Sequence, residues 1–214
     1  MCAAKVDVMP ARTRIDQPGR YRAAVATHTR DSILDALCEL LLERNWRAVT
    51  MTDVAAAAGM SKQTLYNEFG SRRGLAQGYA IRLTDAFVSV IEAALYEHEN
   101  NALVALEQGL TAFFELSKSD PLVLSLHSGE PPDDLLRLIT TDSDPIIDRA
   151  GQRLSKTFQQ SWVGASERQA DIISKAVVRL ALSYIPTPPA SIARTANDVA
   201  QLVSPFIEAI DRSA

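Results

Sequence analysis

Five side chains of the kind that bind DNA phosphates or base edges lie between positions 62 and 67. They are Lys62, Gln63, Thr64, Tyr66 and Asn67. Leu65 and Phe69 are four residues apart, a spacing that predicts the buried stripe of a short helix. A helix over residues 62–69 with that stripe turned inward leaves the polar side chains facing outward, where they are free to contact a nucleic acid.

A second short helix and a glycine turn precede this one. Thr50 and Asp53 have the spacing of a capping box, with Asp in place of the usual Glu or Gln, and predict the start of an alanine-rich helix. Gly59 is expected to end that helix, because glycine takes a left-handed conformation without penalty. Ser61 is a favourable N-cap for the next helix. Two short helices joined in this way form a helix-turn-helix, which presents its second helix to the major groove of DNA.

At these residues the chain resembles the TetR family of bacterial repressors. The positions that match in order and spacing are Thr50, Asp53, Val54, Ala55, Ala58, Gly59, Met60, Ser61, Thr64, Leu65, Tyr66, Phe69, Arg72 and Leu75. The resemblance covers residues 28–80, near the N-terminus, as the family requires. It implies an all-α protein in which a three-helix DNA-binding head is joined by a long helix to a helical body that binds a ligand and forms a dimer.

The resemblance also implies roles for residues of the head. Lys62, Gln63 and Thr64 begin the recognition helix, where Lys suits guanine, Gln suits adenine and the Thr methyl group suits thymine. The expected phosphate contacts are Thr50, Ser61, Tyr66, Arg72 and Arg73. For Lys62 and Arg73 the alternative is an ordinary solvated surface charge.

Glu68 is not explained by the resemblance. A carboxylate near phosphates lowers the affinity for DNA unless it accepts a hydrogen bond from cytosine N4 or pairs with Arg72 or Arg73. The sequence leaves both alternatives open.

The rest of the head is predicted from composition and periodicity. Residues 1–24 contain prolines and a glycine without a sustained period, and predict a flexible basic arm that either follows the DNA or is a solvated tail. An amphipathic helix is expected from Thr27 to Arg44, so that the head occupies residues 25–74. A long helix from Ser71 to about Glu97 begins in the head and continues into the body, residues 75–214.

Charge is unevenly distributed along the 214 residues, whose net charge is −4. Residues 1–75 hold 11 Lys and Arg against 8 Asp and Glu, whereas residues 76–214 hold 11 against 18. The basic end is therefore the one with the helix-turn-helix. No apolar run is long enough to span a membrane and no signal-peptide pattern occurs, so a cytoplasmic protein without membrane contact is expected. Cys2 and Cys38 are expected to be reduced thiols rather than a redox pair.

The body is expected to contain a ligand cavity. Its helices are rich in Leu, Ile, Phe and Ala without a basic cluster, which favours a small apolar ligand, with a fatty acyl chain as one candidate, over a phosphate or sugar. The candidate lining residues are Phe87, Leu110, Phe113, Phe114, Leu122, Leu126, Phe158 and Trp162, with His127 or Tyr184 as candidates to hold a polar head group. For each apolar residue the alternative is plain core. In the family, ligand binding shifts the dimer away from the spacing that DNA requires.

Two long helices are predicted at the C-terminal end, over residues 166–185 and 191–212, and the second carries an apolar heptad seam. The resemblance implies that they pair with their twofold mates, so that a homodimer places two recognition helices about 34 Å apart on a near-palindromic operator. The predicted interface residues are Ile173, Val177, Leu180, Tyr184, Val199, Val203, Phe206 and Ile210. The alternative is two core helices of a monomer. Pro205 predicts a kink or a local break.

Other classes of protein agree less well with the sequence. An enzyme is disfavoured, because the three histidines lie on separate predicted helices without metal-ligand spacing, and no glycine-rich phosphate loop or nucleophile elbow occurs. No metal and no other cofactor are expected. A helical protein-interaction module without sequence-specific DNA binding remains an alternative, which Glu68 and the acidic net charge would suit. The expected partners are double-stranded DNA, a second copy of the chain and a small apolar ligand, and the expected function is a ligand-responsive transcriptional regulator, with repression as the family default.

Overall fold

The structure, a computed structural model, describes residues 18–211, in which helices alternate with short connections. The helices are α1 (Pro18–Glu43), α2 (Met51–Ala57), α3 (Lys62–Phe69), α4 (Arg72–Glu97), α5 (Ala102–Ser119), α6 (Pro121–His127), α7 (Asp133–Ile139), α8 (Asp144–Gln160), α9 (Glu167–Ser183) and α10 (Ile192–Asp211). No strand occurs among the described residues, and the all-α expectation is confirmed. Within the same range, no helix is both long and apolar enough to cross a bilayer.

Helix α1 begins at Pro18, well before the expected start at Thr27. Proline is favourable at the first position of a helix, because the amide it lacks would have no intrahelical acceptor there. Pro18 therefore starts the helix instead of marking an irregular arm, and the prediction of an arm over residues 1–24 is wrong for residues 18–24. Residues 1–17, including Cys2, lie outside the described part of the chain.

The first three helices pack into the expected head. Its centre consists of Ile33, Leu37, Val54 and Leu65, each with no exposed surface. Between α1 and α2 the chain makes a 3-10 turn over Trp46–Ala48, and the Trp46 side chain is buried as completely as the helical core. The indole thus anchors the connection between the two helices in the same core.

Helix α4 leaves the head and packs along α5 and α8 in the body. Helix α5 also packs against α10, and α8 against α9. Fully buried side chains from these helices, including Leu95, Leu106 and Phe158, form the core between them. One continuous helix therefore contacts the head at its N-terminal end and the centre of the body along the rest of its length.

The apolar seam of α10 faces the core of its own subunit. Val199, Val203 and Ile210 are buried, as are Ile173 and Val177 of α9. These five predicted interface residues therefore offer no surface to a partner, and the prediction is wrong for them. A heptad seam indicates a packed face, but it does not say whether the packing partner is the same chain or another one.

The exposed apolar residues of α9 and α10 lie on other faces of these helices. Ile172 is 49% exposed, Leu202 is 70% exposed and Phe206 is 37% exposed. Of the predicted interface residues, only Phe206 belongs to this exposed set, while Leu180 and Tyr184 are half-buried. Helix α10 continues through Pro205, so the local break that the sequence suggested does not occur.

Candidate DNA interface and ligand cavity

The recognition helix α3 is held in place by its cap and its two apolar residues. The Ser61 hydroxyl accepts a hydrogen bond from the Thr64 amide at 3.0 Å and lies 2.9 Å from the Thr64 hydroxyl. Leu65 and Phe69 are buried in the head, and Gly70 ends the helix with φ of 69°. The cap, the buried stripe and the glycine stop are confirmed as predicted.

The outward face of α3 carries the predicted base-reading residues together. Lys62 and Gln63 are exposed, and Thr64 is half-buried beside the cap. Gln63 donates a hydrogen bond from Nε2 to Oδ1 of Asn67 at 2.9 Å, one turn further along the helix. Tyr66 is 46% exposed on the same helix. The structure therefore presents a polar surface one helix wide, as DNA reading requires.

The start of α2 has the predicted capping box, in which the polar groups of Thr50 and Asp53 bond to each other. The Thr50 amide donates to Asp53 Oδ2 at 2.9 Å, and the Asp53 amide donates to the Thr50 hydroxyl at 3.2 Å. The Thr50 hydroxyl in turn donates to Asp53 Oδ2 at 2.8 Å. These bonds hold the pKa of Asp53 below its ordinary value. The hydroxyl proton of Thr50 is thus directed at a carboxylate and is not free for a phosphate.

Arg72 was expected to bind a phosphate, and in the structure its guanidinium is bonded to other parts of the chain. Its Nη1 donates to Asp134 Oδ2 at 2.6 Å, and its Nη2 donates to the Trp46 carbonyl at 2.6 Å. The guanidinium lies 4.0 Å from the centre of the Trp46 ring. Trp46 Nε1 donates to the same Asp134 oxygen at 3.0 Å. The guanidinium is therefore bonded within the protein although 35% of the side chain is exposed, and these contacts do not support the phosphate role predicted for Arg72.

Arg73 is also paired with the body. Its Nη2 lies 2.8 Å from Asp142 Oδ2, an atom that also accepts a bond from Arg137 Nε at 3.1 Å. Because Arg72 and Arg73 are both paired with body aspartates, neither is the partner of Glu68, which removes one of its two explanations. The predicted phosphate role of Arg73 is likewise not supported, although its side chain is 53% exposed.

Further polar contacts join the 3-10 turn of the head to α6 and the segment that follows it. The Trp46 amide donates to the buried Ser125 hydroxyl at 3.1 Å, and Asn45 Nδ2 donates to the Ser128 hydroxyl. Arg47 Nη2 donates to the Glu130 carbonyl at 3.0 Å. We call the cluster of Trp46, Arg72, Asp134 and Ser125 the head–body contact. Sequence reasoning missed it, although a tryptophan in a short loop between helices was a signal for a buried anchor.

A cavity of about 90 Å³ lies in the body between α4, α5, α6, α7, α8 and α9. Every lining side chain except Thr84 is apolar. The Thr84 hydroxyl donates to the Ala80 carbonyl of its own helix at 2.7 Å, so it presents no free donor to the cavity. Such a space suits an apolar ligand and offers nothing to bind a phosphate or a sugar.

Four of the predicted pocket residues line this cavity: Phe87, Phe113, Leu122 and Leu126. Others do not. Leu110 and Phe158 are buried elsewhere in the core, and Trp162 donates from Nε1 to the Leu95 carbonyl at 2.8 Å near the end of α4. Phe114, His127 and Tyr184 line a neighbouring cleft instead. Helical spacing indicates burial, but whether a buried side chain borders a void depends on several helices at once.

A buried polar cluster links α1, α4 and α6. The Tyr79 hydroxyl donates to Asp120 Oδ2 at 3.0 Å and lies 3.4 Å from the thiol sulfur of Cys38. Asp120 Oδ1 accepts the amides of Leu122 and Val123 at 2.9 and 3.1 Å, which caps α6. Burial raises the pKa values of both Tyr79 and Asp120. Cys38 is a free thiol, as expected.

Comparison with known proteins decides the family. Residues 33–78 match the family described as bacterial regulatory proteins, tetR family, and residues 101–205 match the bacterial tetracyclin repressor C-terminal domain. The chain is 50% identical over 188 residues to the HTH-type transcriptional regulator AlkX of Mycobacterium tuberculosis, covering 88% of this chain and 89% of that protein. The chain belongs to the TetR family.

Other TetR-family proteins are similar over shorter or more divergent stretches. The HTH-type transcriptional repressor BepR of Brucella suis is 31% identical over 102 residues, covering 47% of this chain and 48% of that protein. The crystal structure of the TetR-family repressor AlkX from a Dietzia strain, which is implicated in biodegradation of n-alkanes, superimposes with a TM-score of 0.79 and 38% identity, covering 84% of this chain and 95% of that one. This TetR-family member is therefore a DNA-binding transcriptional regulator and not an enzyme.

Proposed function

We propose that this TetR-family regulator reads its operator with Lys62, Gln63 and Thr64. The observation that carries the proposal is the free first turn of α3, where Lys62 is exposed without an ion pair to any described residue. Gln63 is bonded only to a neighbouring side chain, Asn67, which an adenine edge can replace. Tyr66 and the helix start at Ser61 are proposed to hold phosphates.

The proposed phosphate contacts do not include Arg72 and Arg73, because body aspartates hold both side chains. Thr50 is a weaker candidate than the sequence suggested, since its hydroxyl already donates to Asp53. Glu68 is left with one proposed role in the interface, as an acceptor for cytosine N4.

The regulator is proposed to act as a homodimer on a near-palindromic operator. The support is the unpaired apolar surface of α9 and α10, to which Ile172, Leu202 and Phe206 contribute. Large exposed hydrophobic side chains on adjacent helices are typical of a protein–protein contact. Twofold pairing there would place two copies of α3 in successive major grooves, about 34 Å apart.

Release from DNA is proposed to follow binding of a small apolar ligand, such as a fatty acyl chain, in the cavity. The apolar lining supports this chemistry. So does the similarity to a repressor implicated in n-alkane biodegradation, which also supports repression as the sign of regulation. The proposed place of action is the cytoplasm, where a bacterial operator is found.

A gel-shift titration on DNA upstream of the protein's own gene, at two salt concentrations, tests the DNA part. Specific binding is expected to weaken steeply as salt rises, because bound counterions are released from the phosphates. Binding that does not discriminate the upstream DNA from an unrelated fragment would favour the protein-interaction module instead.

The ligand part is tested with Ala181→Leu, which adds atoms to the cavity wall from a buried position on α9. We expect this variant to bind the operator normally but to resist release by hexadecanoic acid. An Ala93→Leu variant adds the same atoms at an exposed position of α4 that does not line the cavity, and it should respond as the unmodified protein does. Equal release of all three proteins would refute a role for the cavity.

A further inference from the structure

The C-terminal end of the recognition helix α3 packs against Arg30 of α1. Arg30 Nη1 donates to the Glu68 carbonyl oxygen at 3.4 Å, and the guanidinium carbon lies 4.3 Å from the centre of the Phe69 ring. The proposed base-reading residues occupy the first turn of α3, at its other end. A single arginine of α1 thus contacts two consecutive residues at the end of α3 that lies away from the base-reading residues.

The hydrogen bond to Glu68 provides a donor that the helix itself lacks. The last four carbonyl groups of a helix have no intrahelical donor. The amides of Gly70 and Ser71 donate to two of these carbonyls in α3, at 2.9 and 2.7 Å. Arg30 donates to a third, and its positive charge lies at the negative end of the helix dipole. The end of α3 is therefore bound to α1 through its backbone as well as through a side chain.

Gly78 of α4 leaves the space that this arrangement needs. A Cβ atom at position 78 would lie 2.6 Å from Phe69 Cε1 and 2.9 Å from Arg30 Nη2. Both distances are well below the optimal separation of non-bonded atoms, so a side chain there would displace the stacked pair. Arg30 and Phe69 therefore fill the point at which α1, α3 and α4 meet.

The position of this end of α3 affects the position of the first turn. At 1.5 Å per residue, Glu68 lies about 9 Å along the helix axis from Lys62. Leu65 is buried between them, so a tilt of α3 about Leu65 moves the two ends in opposite directions. Binding groups must be held within about 0.5 Å of their productive geometry. A small displacement beside Arg30 is therefore enough to weaken base reading.

From these contacts we infer that Arg30 is a positioning residue for operator recognition. It holds α3 at the angle at which the first turn meets the base edges, and it acts through Phe69 and the Glu68 carbonyl without contacting DNA. The inference rests on the proposed function, because the base-reading residues are proposed there. It adds a residue of α1, outside the helix-turn-helix, to those that determine sequence specificity.

The test measures competition among fragments of the DNA upstream of the protein's own gene that carry single base-pair substitutions. Arg30→Ala is expected to reduce discrimination about fivefold at the base pairs that the first turn of α3 reads. Arg30→Lys should restore part of it, since lysine keeps the charge but not the planar group that stacks. The slope of log affinity against log salt should not change, whereas a lost phosphate contact would reduce it by about 0.9.

Arg82→Ala is the matched control, because Arg82 makes the same kinds of contact between α4 and α1. It pairs with Asp35 at 2.6 Å, donates to the Leu34 carbonyl at 2.8 Å and lies 5.2 Å from the centre of the Tyr79 ring. This variant should lower the melting temperature and leave base discrimination unchanged. Thermal unfolding of every variant accompanies the competition, so that a general loss of stability is recognised.

A second variant displaces the stacked pair without changing Arg30. Gly78→Ala should reduce discrimination at the same base pairs as Arg30→Ala, because the added Cβ atom occupies the place of the pair. Combining Arg30→Ala with Lys62→Ala should cost less discrimination than the sum of the two single losses, since an absent side chain cannot be misplaced.

The outcomes separate this inference from the proposed function. If Lys62→Ala relaxes base preference and Arg30→Ala only lowers stability, as Arg82→Ala does, the positioning role is refuted and the base-reading residues stand. A smaller salt dependence with unchanged base preference would show that Arg30 contacts a phosphate, which also overturns the inference. If Arg30→Ala relaxes base preference and Lys62→Ala does not, the positioning role stands and the assignment of Lys62 fails.

Discussion

Arg72 donates from Nη1 to Oδ2 of Asp134 at 2.6 Å, and this bond joins the first turn of α4 to α7 in the body. Both groups are about one-third exposed or less, with 35% and 27% of the side-chain surface accessible. Trp46 fixes the pair further, because it stacks on the guanidinium and donates to the same carboxylate oxygen. An arginine at the expected phosphate position thus maintains the orientation of the head relative to the body.

Replacing Arg72 with alanine should reduce stability without removing a DNA contact. The loss of charge-assisted hydrogen bonds is expected to lower the free energy of unfolding by about 2 kcal/mol. The slope of log affinity against log salt for the operator should not change, whereas each lost phosphate contact would reduce it by about 0.9. Urea unfolding and binding titrations at several salt concentrations measure the two quantities. A smaller salt dependence of operator binding together with normal stability would show that Arg72 contacts a phosphate.

Lys62→Ala should relax base preference, because the exposed ammonium group has no role in the fold. Discrimination at one operator position is expected to fall by about 1–3 kcal/mol, measured by competition among operators with single base-pair substitutions. Lys175→Ala is the control, since Lys175 pairs with Asp171 on the surface of α9. If the variant weakens all operator sequences equally, Lys62 is a phosphate contact instead.

Leu202→Glu should dissociate the proposed dimer while the subunit stays folded. Leu202 is 70% exposed in the subunit, so a charge there is harmless until a second copy covers it. Val203→Ala should lower the melting temperature and leave the oligomeric state unchanged. Val203 is buried, so its truncation removes core packing without affecting a surface that a partner could cover. Sedimentation equilibrium and thermal unfolding distinguish the two. Leu42→Glu, at a residue 72% exposed on the head, should leave the oligomeric state unchanged.

Gly74→Ala should destabilise the head. A Cβ atom at position 74 would lie 1.9 Å from the Phe69 carbonyl oxygen, so the junction of α3 and α4 must shift. We expect a loss of about 1–3 kcal/mol in unfolding free energy, typical of overpacking. Gly151→Ala is the control in α8, where the nearest atom would be 3.7 Å away, and alanine should gain up to about 1 kcal/mol from helix propensity. Similar effects at both positions would contradict the steric argument.

The effect of Asp120→Asn on the stability of the fold should become more favourable as pH rises. Burial raises the folded-state pKa of Asp120 above its ordinary 3.8. The stability that this group contributes is therefore present below that ordinary value and is lost as pH rises through the raised pKa. Asparagine has no charge to bury and keeps an oxygen for the Leu122 and Val123 amides. The melting temperature of the variant relative to the unmodified protein should increase as pH rises from about 4 through the raised pKa of Asp120.

Asp53→Asn provides a comparison of opposite sign. The hydrogen bonds from Thr50 lower the pKa of Asp53, so its stabilisation is present above the ordinary pKa and is lost as pH falls through the lowered one. Asp53→Asn should therefore lower the melting temperature at neutral pH, and this difference from the unmodified protein should become smaller in acid. The same pH dependence for both variants would contradict the assigned causes.

Local signals in the sequence were sufficient to predict the head. The caps at Thr50 and Ser61 depend on residues three apart, and the structure confirms them. The same holds for the stripe of Leu65 and Phe69, because four residues span one helical turn. The resemblance to the TetR family rested on these same positions.

Contacts between distant segments were not predictable in this way. The resemblance assigned Arg72 to DNA, and nothing in the sequence indicated its bond to Asp134, which is 62 residues away along the chain. The heptad seam through Val203 was assigned to a partner chain because periodicity identifies an apolar face without identifying what covers it. The cavity residues were confused with the core for the same reason, since a void is a property of six helices together.

The head–body contact limits how the DNA-binding head can be exchanged between relatives. A chimaera joined at Ser71 would replace Trp46 and leave Asp134 without the indole donor and the Arg72 guanidinium without the ring that it stacks on. Each abandoned polar group would be costly where it stays away from water. A chimaera that takes its DNA specificity from a relative must therefore keep the turn between α1 and α2 of this chain together with its body. Otherwise, the exchange must be limited to the outward residues of α3.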